Sequence, residues 1–157
     1  MNRCTSELLE SFLVDYGWAF RRESESGSGV KVEGTSLWKT GFRGEEHIFP
    51  LSIIMTETWI SFVIQPFVPL SVDWESWPEI SRLLLELNAR ATMAKFSISA
   101  EGRIELGIEV LNAGFTYESF TLTMGLLGYY ADCYYDEILS GLDHLGYSYT
   151  ESLNLLT

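Results

Sequence analysis

Few residues in this chain are equipped for chemistry. There are two histidines, His47 and His144, and two cysteines, Cys4 and Cys133. A zinc site needs a cluster of Cys, His or acidic ligands, and neither cysteine stands in a CxxC or other metal-type spacing. His144 follows Asp143 with no second histidine nearby, and reads as a surface histidine at a helix end. Asp132 and Asp136 lie four apart and share a helix face. Two such carboxylates suit a hard cation such as Mg²⁺. No phosphate loop or further ligand pattern accompanies them, so with Glu137 they read as a solvated acidic face. Glu105 and Glu109 take the same reading on the wet face of a strand. None of GxSxG, HExxH, GxGxxG or GxxxxGK[ST] occurs. Gly125 and Gly128 fall in mid-helix rather than at a helix start, where a phosphate would be held. A serine nucleophile needs a base, and histidine is scarce. The expectation is a chain with no catalytic residue, no cofactor and no metal.

Whatever these side chains do, they sit on a frame of ordinary globular composition. The 157 residues are 46% apolar, 14% aromatic and 20% charged. That length fits one domain over residues 1–157, with enough chain to bury a core unaided. Disorder, collagen and heptad arrays are excluded. Twenty-two acids against ten bases leave a net charge of −12, which argues against a nucleic-acid partner. The N-terminus has no apolar signal core, and no stretch approaches the roughly 20 apolar residues of a membrane span. Two distant cysteines read as reduced thiols. A cytoplasmic protein with no membrane contact is expected.

Periodicity supplies the elements. Leu8, Leu9, Phe12, Leu13 and Tyr16 recur at helical spacing behind a capping Thr5, predicting a helix over 6–16 ended by Gly17. Residues 21–29 are polar and glycine-rich, and read as a loop. Residues 30–43 read as one weak strand or two fragments. The runs 47–55 and 59–68 are rich in Ile, Val, Phe and Trp, and the three residues between them make a hairpin. Ser76, Pro78 and Glu79 form a helix start of capping-box type. Ile80, Leu83, Leu84, Leu87 and Ala91 then make its buried stripe. From Ala94 the period drops to two, and a second hairpin runs through Ala100-Glu101-Gly102 to Val110. Thr116 caps a last helix over 117–140, with Phe120, Met124, Leu127, Ala131, Tyr134 and Ile138 inward. Residues 142–157 read as a further helical turn and a loose tail. The sum is α+β: an antiparallel sheet with helices packed on it.

Two surface features stand out. After Arg103 there are eight acids and no Lys or Arg in 54 residues. Asp132, Asp136 and Glu137 lie toward the C-terminal half of a helix, where the dipole disfavours them. They serve either solubility or a basic partner. Six tyrosines, Tyr129, Tyr130, Tyr134, Tyr135, Tyr147 and Tyr149, crowd the C-terminal third, facing two sides of one helix. Tyr130 and Tyr134 read as core. Tyr129 and Tyr135, off the main stripe, read as interface residues. Gly125 and Gly128 each cost about 1 kcal/mol relative to Ala in a helix interior, which a closely passing backbone would explain. A self-contact along them would give a two-fold dimer.

The stretch from Trp77 to Ile138 resembles the YbjN-type domain, whose fold is that of the type III secretion chaperones. The resemblance rests on a helix ending in Leu87-Asn88, a hairpin turning at Glu101-Gly102, Thr116 opening a long helix, and Ala131-Asp132 late in it. The hairpin over 47–68 agrees with the family order of helix, three strands, helix, two strands, helix. The resemblance implies a small, acidic, cytoplasmic and often dimeric binding domain without an enzymatic site. The expected function is a homodimeric, chaperone-like adaptor that holds an extended protein segment on its sheet, by strand addition to an open edge, or on the tyrosine-bearing helix. Gly125, Gly128, Tyr129, Asp132, Tyr135 and Asp136 are its candidate interface. The other reading is a small-molecule sensor or minor enzyme with an apolar pocket lined by Trp59, Trp74, Trp77 and Phe115.

Overall fold

The computed structural model describes residues 2–23 and 34–147. Thr5 accepts the N–H of Leu8 through its side chain and opens α1 (Ser6–Asp15). Gly17, at φ +81°, ends it. The N–H of Trp18 returns to the Leu13 carbonyl and that of Gly17 to Val14, satisfying the last turn. Strands β1 (Phe20–Arg22), β2 (Ser36–Arg43), β3 (Ile48–Met55) and β4 (Trp59–Ile64) follow. Helix α2 (Trp77–Arg90), the hairpin β5 (Ala94–Ile98) and β6 (Ile104–Leu111), and α3 (Tyr117–His144) complete the chain. Every strand pairing is antiparallel, in the order β1-β2-β3-β4-β6-β5. The α+β architecture is thus a six-stranded antiparallel sheet with three helices.

Four strands, not three, precede α2. The additional one, β1, is too short and too polar to show a period, and Arg21 and Arg22 lie in it rather than in a loop. The weak stretch over 30–43 contributes one continuous strand, β2, of eight residues, while 24–33 lie outside the described residues. The second run of the first hairpin stops at Ile64, ahead of Pro66. Ser76 gives α2 no side-chain cap. A 3₁₀ turn, Trp74–Ser76, precedes the helix, so Ser76 already has helical backbone angles instead of the extended ones of a capping residue. Helix α3 runs past Gly141 and stops at Gly146, whose φ of +86° allows the same closing bonds as in α1. At Gly141 a Cβ would meet the tip of the Leu83 side chain of α2, which would have to turn aside.

One face of the sheet carries the core. Trp38, Phe49, Leu51, Ile53, Ile60, Phe62, Leu106 and Ile108 point into it and are essentially inaccessible. Each such side chain contributes about 1.5–3 kcal/mol by leaving water. The helices close this face from above. Phe12 of α1 meets Phe115 and Phe120, and Phe49 and Phe67 meet Tyr135 of α3. The N-terminus is stitched down by Asn112, which is buried. Its carbonyl oxygen Oδ1 accepts the N–H of Cys4 at 2.7 Å, and its Nδ2 donates to the Thr56 carbonyl at 2.8 Å.

Candidate functional site

The six candidate interface residues divide by what they touch. Tyr129 is 62% exposed on the outer line of α3, and a Cβ at Gly125 would meet nothing. Asp136 is also exposed. The other three are committed within the chain. Tyr135 is buried, 7% exposed, with its ring edge-on to Phe49 and Phe67 and 3.9 Å from the His47 ring centre. It lies on the inner stripe four residues after Ala131, so it is core rather than interface. Asp132 accepts the Glu45 N–H at 3.0 Å and closes the β2–β3 turn. Gly128 looks onto the Phe42 ring of its own chain, and among the described residues no other backbone passes near it or Gly125. The cost of these two glycines is therefore not repaid by a backbone contact among those residues.

The acids of α3 are also partly spent. Glu137 takes the Arg90 guanidinium at 2.6 Å, and that pair holds the Arg90 pKa above its usual value. Asp132 serves the loop. Among the described residues, Asp136 alone of the three faces solvent without a side-chain hydrogen bond or ion pair, which weakens the basic-partner reading for this helix. Glu45, Glu46, His47, Asp132, Tyr135 and Asp136 border a depression of about 120 Å³. Among the described residues, no group of three or more His, Cys, Asp or Glu is placed to hold a metal ion. His144 sits at the exposed end of α3, its Nδ1 2.8 Å from the Ser140 carbonyl oxygen.

The aromatic pocket does not form. Trp74 is 74% exposed and Trp59 48% exposed at the outer end of β4. Trp77 donates its indole N–H to the Val72 carbonyl. Phe115 is buried against Phe12 and Phe62. Trp74 and Trp77 stand one turn apart at the start of α2, while Trp59 opens β4 and Phe115 lies just ahead of α3.

Strand addition meets an obstacle at the β5 edge. The Phe96 N–H points outward, and Asn88 Oδ1 accepts it at 2.6 Å. The Phe96 carbonyl accepts Asn88 Nδ2 at 3.1 Å. A side-chain amide thus takes both outward backbone groups of Phe96, at the middle of the edge a new strand would use. The opposite edge, β1, offers three residues.

One further surface, not forecast from the sequence, is the face of the sheet turned away from the helices. Strand β3 alternates cleanly, with Phe49, Leu51, Ile53 and Met55 inward. Yet its outward residues are Ile48, Pro50, Ser52 and Ile54, three of them apolar. A half-wet strand is expected to be polar on its outer side. In register beside them stand Leu37 of β2, opposite Ile54, and Val63 of β4, opposite Ser52. A depression of about 560 Å³ crosses this face, with Leu37, Pro50, Ile54 and Val63 in its lining and Lys39, Arg103 and Glu105 also bordering it. Trp59 and Leu111, paired in register, extend the apolar surface at one end. The signal was present in the sequence. Ile48–Met55 holds a single polar residue, Ser52, and so reads as a strand covered on both sides.

No family model matches the chain, and no curated protein matches it. Among the described residues, no helix is long and apolar enough to cross a membrane.

Proposed function

We propose that this chain is a non-enzymatic protein-binding domain, a cytoplasmic chaperone-like adaptor of the YbjN type, that carries its partner on the open face of the sheet. One observation carries the reading: β3 is apolar on both sides, and the helices cover only one. Leaving Ile48, Ile54 and Val63 in water forgoes hydrophobic stabilisation that a partner would supply. The β5 edge, closed by Asn88, turns the partner away from strand addition and onto the face. The homodimer belongs to the same proposal. Leu122, Gly125, Tyr129 and Asp136 fall along the outer line of α3, away from the sheet, where a second copy leaves the open face accessible.

The test is a photo-reactive residue placed at Val63 and, as a control, at Leu85 on the exposed side of α2. Irradiation in the native cytoplasm should give discrete protein adducts from position 63 and none from 85. Absence of any protein adduct from position 63 would sink the reading. Sedimentation of Tyr129→Arg against the unmodified chain tests the dimer, which the substitution should split.

A further inference from the structure

Resting on that reading, we infer that the open face of the sheet takes an acidic partner segment, one that interleaves apolar side chains with carboxylates. The chain as a whole carries −12, with ten bases. Five of those ten, Arg21, Lys39, Arg43, Lys95 and Arg103, stand on this one face, against Glu23, Glu105 and Glu109. Two of the five are neutralised in place: Lys95 reaches Glu109 at 2.7 Å and Arg21 reaches Glu23 at 2.6 Å. Lys39 touches Glu23 only at 4.0 Å. Arg43 and Arg103 have no ion pair among the described residues. Uncommitted positive charge therefore borders the apolar floor of Pro50, Ile54 and Val63, on a molecule that is acidic elsewhere.

Charge and shape select the occupant. A second copy presenting the same face would set Lys39, Arg43 and Arg103 against their own kind, and like charges brought together disfavour the contact. Nucleic acid would find Glu105 and Glu109 in the face and strong net repulsion around it. A flat bilayer does not follow a depression. A polypeptide with acids spaced among apolar residues fits both requirements. Its carboxylates reach the three cations and its apolar groups cover the floor.

Fluorescence anisotropy on the full chain tests this, using a labelled short peptide of alternating Leu and Glu as the probe. The peptide should bind, and raising the salt to about 0.3 M should weaken it about tenfold. The double variant Lys39→Glu, Arg103→Glu and the single variant Val63→Asp should each lose about tenfold in affinity or more, while retaining the parent's thermal unfolding. The inference is overturned if the Leu–Lys counterpart binds as well, if neither variant weakens binding, if the Leu–Glu peptide does not bind, or if the face instead mediates self-association or takes anionic vesicles or an oligonucleotide in preference. Photo-adducts at Val63 whose cross-linked segments lack acidic residues would overturn this inference and leave the adaptor reading standing. Absence of adducts would remove both.

Discussion

Asn88 on α2 holds both outward backbone groups of Phe96, accepting its N–H at 2.6 Å and donating to its carbonyl at 3.1 Å. The relationship ties the helix to the end strand and occupies the middle of that strand's outer edge. Asn88→Ala leaves a part-buried donor and acceptor unmade, which costs about 1–3 kcal/mol. It also uncovers a strand edge. Chemical denaturation should show the loss, and light scattering should show association rising with protein concentration. A variant that is both as stable and as monodisperse as the parent would show that the amide contributes nothing.

Gly102 and Gly125 should respond oppositely to alanine. Gly102 has φ +75°, and a Cβ there would run into the Val72 backbone. Gly102→Ala is expected to destabilise by several times the roughly 1 kcal/mol typical of point substitutions. Gly125 faces open space in mid-helix, so Gly125→Ala should stabilise the fold by up to about 1 kcal/mol. Thermal unfolding of the two variants checks both signs.

Burial raises the Cys4 thiol to about 11 from an ordinary value of 9.0. The folded state therefore binds its proton more tightly than the unfolded chain does. The resulting stability is complete below pH 9 and is lost as pH rises toward 11. Denaturation between those limits should show a downward slope that Cys4→Ala reduces. Thiol titration of the folded protein near pH 8 should modify exposed Cys133 and spare Cys4.

Asp132 accepts the Glu45 N–H and ties down the loop between β2 and β3. Asp132→Ala should speed hydrogen exchange at the Glu45 amide and lower stability by about 1 kcal/mol. Millimolar Mg²⁺ should leave the melting temperature of the parent unchanged, and a clear rise would restore the cation reading of Asp132 and Asp136.

Much of the frame was readable because amphipathic periods record which side is covered. Leu9, Phe12 and Leu13 marked α1, and the alternation from Ala94 to Val110 marked the second hairpin. Strand β1 escaped because three residues hold no period, and its pairing to β2 comes from tertiary contact. Tyr135 was misplaced by following Tyr134 down the helix. The run Leu127, Ala131, Tyr135, Ile138, Leu142 is the true inner stripe, while Tyr134 leans toward Arg90. The candidate pocket failed for a different reason: aromatic residue type says nothing about which elements bring side chains together. The open face was the clearest missed signal. Ile48 and Ile54 belong to the wrong parity for a strand wetted on one side, and the register with Leu37 on the partner strand extends the same apolar parity.

Cys4 gives its N–H to Asn112, and 108 positions separate the two. Helix α1 therefore leaves synthesis long before its anchor exists. On the ribosome it must wait, its apolar stripe unsheltered, until β6 has emerged. Contacts of such sequence separation slow folding, and a holdase acting on the nascent chain would find its first client surface at Leu9, Phe12 and Leu13.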